Sequence, residues 1–236
     1  MAKGNDGNYL QHSIEVAIAH HLVTRTGCGG RLHIALAHGM APFEWCGELP
    51  DGQTRDLLRE SLDAARRPAE EGEPPIIAAY RGTNASLESY PNTGELLAGI
   101  IGRDRLAGGI TETDTQKHAE LQRVWPRSGG TPVAASWRSA VRANGVLTCP
   151  SSLRSPWLLS FDPMAYREGG CADDEYLYRA DLSRVSEAVS SFVSSGNPRA
   201  AALFVYAVRP ENIDHGSGLL SMRWQPRPIQ LPCHAG

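Results

Sequence analysis

Three short apolar runs in this chain end on side chains able to do chemistry. Residues 32–37 lead into Ala37-His38-Gly39-Met40-Ala41-Pro42, residues 106–111 into Thr111-Glu112-Thr113-Asp114, and residues 157–161 into Phe161-Asp162-Pro163-Met164-Ala165-Tyr166. An acid at the end of the second run can accept both hydroxyl hydrogens of an adenosine ribose, which would define a nucleoside site. On position alone, Glu112 reads equally as a cap for the helix that follows, although Asp114 is the better cap and would leave Glu112 free. Asp162 is fixed where it stands because Pro163 ends the strand before it. Such a carboxylate can take a proton or a hydrogen bond from an amine nucleophile, and Tyr166 could stack on a planar substrate. Asp-Pro is also a common turn, so the bland reading stays beside the chemical one.

These residues need a scaffold, and the hydrophobic spacing supplies one. Leu10, Ile14, Ile18 and Leu22 recur at helical spacing, and Gly27 to Gly30 break that helix before the run at 32–37. Leu57, Leu58, Leu62 and Ala65 predict a second helix, and the polar, proline-rich stretch 68–75 predicts a surface loop after it. From residue 94 helices and strands alternate: helix 95–101, strand 106–111, helix 114–124, strand 131–135, helix 137–143, strand 157–161, helix 182–193, then strands at 201–208 and 218–224. Strands separated by helices imply a mainly parallel sheet covered on both faces. The expectation is a single α/β domain over 1–236, Rossmann-like and doubly wound, with a small, partly helical cap inserted at about 49–89. In such a sheet ligands lie beyond the carboxyl ends of the strands, where the three segments above fall.

Composition narrows the function classes. The chain has 236 residues, 41% hydrophobic and 21% charged, with 23 basic and 26 acidic side chains and a formal charge of −3. That is an ordinary globular composition without a strong polyanion-binding surface, so DNA is not an expected partner. Five scattered cysteines without a Cys-x-x-Cys pair argue against a disulfide framework or a cysteine zinc site and fit a reducing cytoplasm. No metal is expected, because the eight histidines form no His-Glu-x-x-His pattern. The apolar stretch 14–23 is short and interrupted by Glu15, His20 and His21, so neither a leader nor a membrane span is expected. The absence of a Gly-x-x-x-x-Gly-Lys loop and of a Gly-x-Ser-x-Gly elbow removes nucleoside triphosphatase and α/β-hydrolase readings. Asp173-Asp174-Glu175, with Tyr176 and Tyr178, is an acidic aromatic segment that reads either as a gate recognising a cationic group at the substrate mouth or, as most such clusters do, as a solvated loop, and it would repel RNA phosphates.

Taken in order, several segments resemble the RlmJ-type 23S rRNA adenine methyltransferases. Gly4-Asn5-Asp6-Gly7-Asn8-Tyr9-Leu10-Gln11-His12 resembles that family's opening Gly-Asn-x-x-Asp-x-Leu-Lys-His. Leu36-Ala37-His38-Gly39-Met40-Ala41-Pro42 falls where the family has Asp-Thr-His-Ala-Gly-Ala-Gly, and Tyr90-Pro91-Asn92-Thr93-Gly94 resembles its Tyr-Pro-Gly-Ser-Pro. Thr111-Glu112 matches its Thr-Glu, and Asp162-Pro163-Met164-Ala165-Tyr166 its Asp-Pro-Pro-Tyr. The resemblance implies a class I methyltransferase fold that binds S-adenosylmethionine through His12, His38, Thr93 and Glu112, with Asp162 facing the methylated atom and Tyr166 beside it. Where the family has Asp-Gly near adenine, this chain has Trp137-Arg138, and Trp137 would stack on the ring instead.

The departures bear on chemistry. Met40 and Pro42 replace both glycines of the turn after the first strand, Leu36 stands for its acid, and Gln11 for the lysine before His12. Backbone approach to a cofactor must therefore differ there. One residue is added to the Asp-Pro motif, which bears on the acceptor more than on the cofactor. The implied activity is methyl transfer to a nitrogen, with an adenine amine in RNA, a small molecule or a peptide as acceptor. A cyclase or lyase consuming S-adenosylmethionine, and a non-catalytic S-adenosylmethionine-binding protein, are the alternatives. Without the order of these motifs, His12 and His38 would read as core histidines and Thr93 as a helix start.

Overall fold

The computed structural model describes residues 4–25, 31–36, 41–49, 51–125, 133–134, 138, 156–161, 166–167, 177–178, 181–193 and 200–204. The first helix, α1 (Asp6–Arg25), is started by Asn5, whose side chain accepts the Asn8 N–H at 2.8 Å. Strand β1 (Leu32–Leu36) follows, then a two-residue strand β2 (Phe43–Glu44). Helices α2 (Asp56–Ala65) and α3 (Pro75–Thr83) come next. A short β3 (Tyr90–Pro91) pairs antiparallel with β2, and α4 (Thr93–Ile101) ends at Gly102 before a 3-10 turn. Then come β4 (Leu106–Glu112), α5 (Thr115–Val124), β5 (Val133–Ala134), β6 (Trp157–Phe161), the parallel pair β7 (Tyr166–Arg167) and β8 (Leu177–Tyr178), α6 (Leu182–Val193) and β9 (Ala200–Phe204).

Five strands form one parallel sheet in the order β5-β4-β1-β6-β9. The chain therefore starts in the middle, builds outward through β4 and β5, and crosses back to β6 and β9, so the order reverses between β1 and β6. β6 is buried at every residue, and β4 at nearly every one. Because successive side chains of a strand point to opposite faces, both faces of the sheet centre are covered. The architecture is a mixed α/β fold with a parallel sheet, as the alternating periodicities predict. The expected strand at 131–135 is described at 133–134 and the one at 201–208 over 200–204. Of the expected helix 137–143, Arg138 is described and is helical, while the expected strand 218–224 lies outside the described residues.

The insertion between β2 and β3 shares the core of the sheet. Leu58, Leu62, Ile76, Ala79 and Tyr80 from α2 and α3 belong to one buried cluster with Leu32, Ile34 and Leu158 from the strands. The proline-rich stretch is a loop up to Pro74; Pro75 opens α3, where its missing N–H costs nothing. Arg81 fastens that loop, donating from Nε to the carbonyls of Ala65 and Arg67 while its guanidinium forks onto Glu73.

The spacing of Leu10, Ile14, Ile18 and Leu22 marks the helix but not its buried face. Leu10 and Ile14 are about half exposed, whereas Gln11, His12, Glu15, Val16 and Ala19 are buried. His12 and Glu15 can occupy the inner face because other elements supply their hydrogen bonds, as described below, whereas Nε2 of Gln11 has no partner among the described residues.

Two contacts demand glycine. Gly108 has φ 116°, and a Cβ there would lie 1.8 Å from the Ile34 carbonyl oxygen on the paired strand β1. Where α3 crosses α4, a Cβ on Gly82 would lie 2.2 Å from the Gly99 carbonyl oxygen. Gly108→Ala is therefore expected to lower unfolding stability by at least about 3 kcal/mol or to prevent folding. Gly72→Ala, at positive φ but facing open space, should lose about 1–2 kcal/mol. Urea unfolding midpoints of the two variants check this difference.

Candidate functional site at the carboxyl ends of the strands

Leu36, the last residue of β1, is in register with Ile110 of β4 and with Ser160 of β6, so β6 runs on to Phe161 and β4 to Glu112 past the end of β1. Around that edge lie the start of α4, the β2–β3 ribbon and the end of β4. Asn92 sets α4 in place: its side chain accepts the Glu95 N–H at 2.9 Å, and its own backbone N–H donates to the Pro42 carbonyl at 2.9 Å. Glu95, nearly fully buried, takes the forked Arg103 guanidinium, which also donates to the Val124 carbonyl at 2.7 Å. The first turn of α4 is thereby tied to the end of α5. A Cβ on Gly94 would lie 2.6 Å from the Trp125 ring, which holds the same turn from the other side.

His12 and Thr93 are brought to one seam, between α1 and the β3–α4 connection. Nδ1 of His12 lies 2.7 Å from the Tyr90 hydroxyl, and the two rings stack at 5.5 Å with 17° between their planes. Tyr80 packs obliquely against Tyr90, at 6.4 Å. Burial pushes both phenols above their ordinary range. Thr93 is buried and donates its hydroxyl proton to Oε2 of Glu15 at 2.8 Å. The other oxygen of Glu15 accepts from the Ser160 hydroxyl at 2.5 Å.

Glu15 is fully buried and stands on α1, away from the strand ends at which the sequence pattern places candidate residues. The signal was present as a single acid within the apolar stretch 14–23, one helical turn after His12 and so on the same face. Ser160 was hidden likewise, as the one hydroxyl in the strand before Asp162.

Glu112 ends β4 and is nearly buried. Its Oε1 accepts the Asp114 N–H at 2.8 Å, and its Oε2 has no hydrogen-bond partner among the described residues. Asp114 is the helix cap, accepting from the backbone N–H of Gln116 at 2.9 Å and of Lys117 at 3.0 Å. Lys117 reaches back to the ribbon, with Nζ 3.4 Å from Oε1 of Glu44. Burial would lower the Lys117 ammonium, but the Glu44 charge, with those of Glu112 and Asp114, outweighs it and raises it above its ordinary value. The capping N–H of Lys117, and then that of Gln116, hold Asp114 below the usual carboxylate range against a smaller effect of burial.

Strand β7 contains Tyr166, and nothing is described of its side chain; His38, Trp137 and Asp162 lie outside the described residues. Arg138, next to Trp137, forks onto Asp181 with both bonds at 3.0 Å, joining the crossover after β5 to the start of α6. At the opposite, amino end of β1, His33 stacks on Trp157 at 4.7 Å, away from the site. Cys46 is the one cysteine among the described residues and is buried, its thiol pushed up chiefly by burial. No group of three or more metal-ligating side chains occurs among the described residues, and no helix among them is long and apolar enough to cross a membrane.

No family model matches the chain, and no curated protein matches it. Among solved structures it is similar to the crystal structure of a protein from Legionella pneumophila str. Philadelphia 1 described with the family model DUF519. The TM-score is 0.57 at 13% identity, over 91% of this chain and 73% of that one. The likeness is one of fold.

Two outcomes follow from this geometry. Ser160→Ala leaves one oxygen of a buried carboxylate without its donor and is expected to cost about 2 kcal/mol, read from urea unfolding. Asp114 has a folded pKa below its ordinary 3.8, so its contribution to stability is complete above that value and is lost as pH falls below it. Asp114→Asn, which still caps, should keep the stability near neutral pH and flatten its fall in acid. Melting temperatures across pH 3 to 7 measure both.

Proposed function

We propose that this chain is an S-adenosylmethionine-dependent methyltransferase of the class I, doubly wound type that methylates a nitrogen. The observation that carries the reading is Glu112: an acid at the end of the strand beside β1, with one oxygen fixed by Asp114 and the other without a partner among the described residues. That is the acceptor a ribose diol requires. The reversal of strand order between β1 and β6 supports it, since ligands of open parallel sheets lie at such a reversal. The order of motifs shared with the RlmJ-type enzymes supports it further.

When bound, the cofactor supplies an electrophilic methyl group on a sulfonium. The chain's own residues orient and exclude water. Glu112 holds the ribose hydroxyl hydrogens, and Asn92 and Thr93 fix the start of α4 at the same edge. His12, backed by Tyr90, lines the α1 side, and His38 and Trp137 are assigned to the cofactor by the resemblance alone. Asp162 accepts a hydrogen bond from the acceptor amine and aims its lone pair, and Tyr166 stacks on the acceptor. An adenine amine in RNA is the acceptor the resemblance points to; the charge of −3 and the acidic segment 173–175 favour a small molecule or a peptide.

Calorimetric titration with S-adenosylmethionine and S-adenosylhomocysteine tests the assignment. Glu112→Ala should weaken binding of both ligands at least about tenfold, about 1.4 kcal/mol. Asp162→Ala should bind as the parent does and lose methyl transfer. Equal binding and activity in parent and both variants would contradict the assignment, and methylthioadenosine as the product would replace transfer with a lyase or cyclase reaction.

A further inference from the structure

We propose that the carboxylate of Glu15 gives the site its preference for a positively charged sulfonium donor over the neutral thioether left after transfer. This rests on the methyl-donor reading above. Glu15 is fully buried and accepts a hydrogen bond at each oxygen, from the hydroxyls of Thr93 at 2.8 Å and of Ser160 at 2.5 Å. Its two anchors place it with little freedom. Thr93 opens α4, and Ser160 stands opposite Leu36, at the last registered pair of β1 and β6. That pair marks the point where the strand order reverses, so the charge sits at the edge where a ligand of this sheet would lie.

Fastening α1 to α4 and β6 does not by itself require a charge. A glutamine carbonyl could accept one of these bonds at a far smaller cost of removal from water, whereas a buried carboxylate carries a penalty of several kcal/mol. In a site from which water is excluded, a negative charge stabilises a cation by more than it could in solvent. A donor that loses its positive charge as the methyl leaves is then held less tightly as product.

The test is titration of the full chain and of Glu15→Gln with S-adenosylmethionine and S-adenosylhomocysteine at one low ionic strength. The parent is expected to prefer S-adenosylmethionine by about tenfold. In Glu15→Gln that preference should fall toward unity, with S-adenosylhomocysteine affinity changed by less than about threefold, an outcome that loosened packing would not produce. Circular dichroism and urea unfolding verify that the variant is folded. Should it not fold, the parent is titrated with the analogue bearing an ammonium in place of the sulfonium: tighter binding than the thioether supports the proposal, and equal binding overturns it. The same preference in parent and folded Glu15→Gln also overturns it. No binding of any of these ligands to folded parent protein would overturn the methyl-donor reading itself.

Discussion

A carboxylate removed from water must be given fixed donors, and in this protein that requirement falls on Glu15. Its two oxygens are satisfied by hydroxyls from elements far apart in sequence, Thr93 at the start of α4 and Ser160 near the end of β6. Removing either donor leaves a buried oxygen short of a hydrogen bond, a penalty that outweighs an ordinary surface contact. The register of α1 against the sheet is thus set by these polar bonds together with the fully buried Val16 and Ala19. This explains why the helix turns Gln11, His12 and Glu15 inward while Leu10 and Ile14 face outward. It also fixes where α4 begins, because Thr93 is the first residue of that helix.

The rest of the strand edge is assembled by the same kind of bond. Asn92 joins α4 to the chain after β1 through the Pro42 carbonyl, and Lys117 joins α5 to the β2–β3 ribbon through Glu44. Arg103 and Arg138 each place a forked guanidinium on a buried acid, Glu95 and Asp181, and so tie α4 to α5 and the crossover after β5 to α6. Paired in this way, buried acids restrict geometry; left unpaired, they would destabilise it. The apolar cluster holds the layers together, and these polar bonds decide how the pieces meet where a ligand would bind.

Much of the sheet was legible in the sequence because buried parallel strands are short apolar runs bounded by glycine, proline and acids. Residues 32–36, 106–112 and 157–161 show that pattern plainly. Asp114 was legible as a cap for the same local reason. The β2–β3 ribbon was not, since two residues of strand carry no periodicity and the pairing depends on residues about 47 positions apart. The inner face of α1 was misleading because a satisfied buried polar group looks, in sequence, like an exposed one. Glu112 could be placed from the end of its strand, whereas Glu15 acquires a meaning only when Thr93 and Ser160 are beside it.

We propose the carboxyl edge of β1, β4 and β6 as a nucleoside-bearing site organised by Glu112 and Glu15. A crystal structure of the full chain grown with S-adenosylhomocysteine tests this most directly. The ligand is expected at that edge, its ribose hydroxyls donating to Glu112 and its thioether sulfur on the side of β1 nearest β6. A ligand seated elsewhere, or one whose ribose has no contact with Glu112, would contradict it.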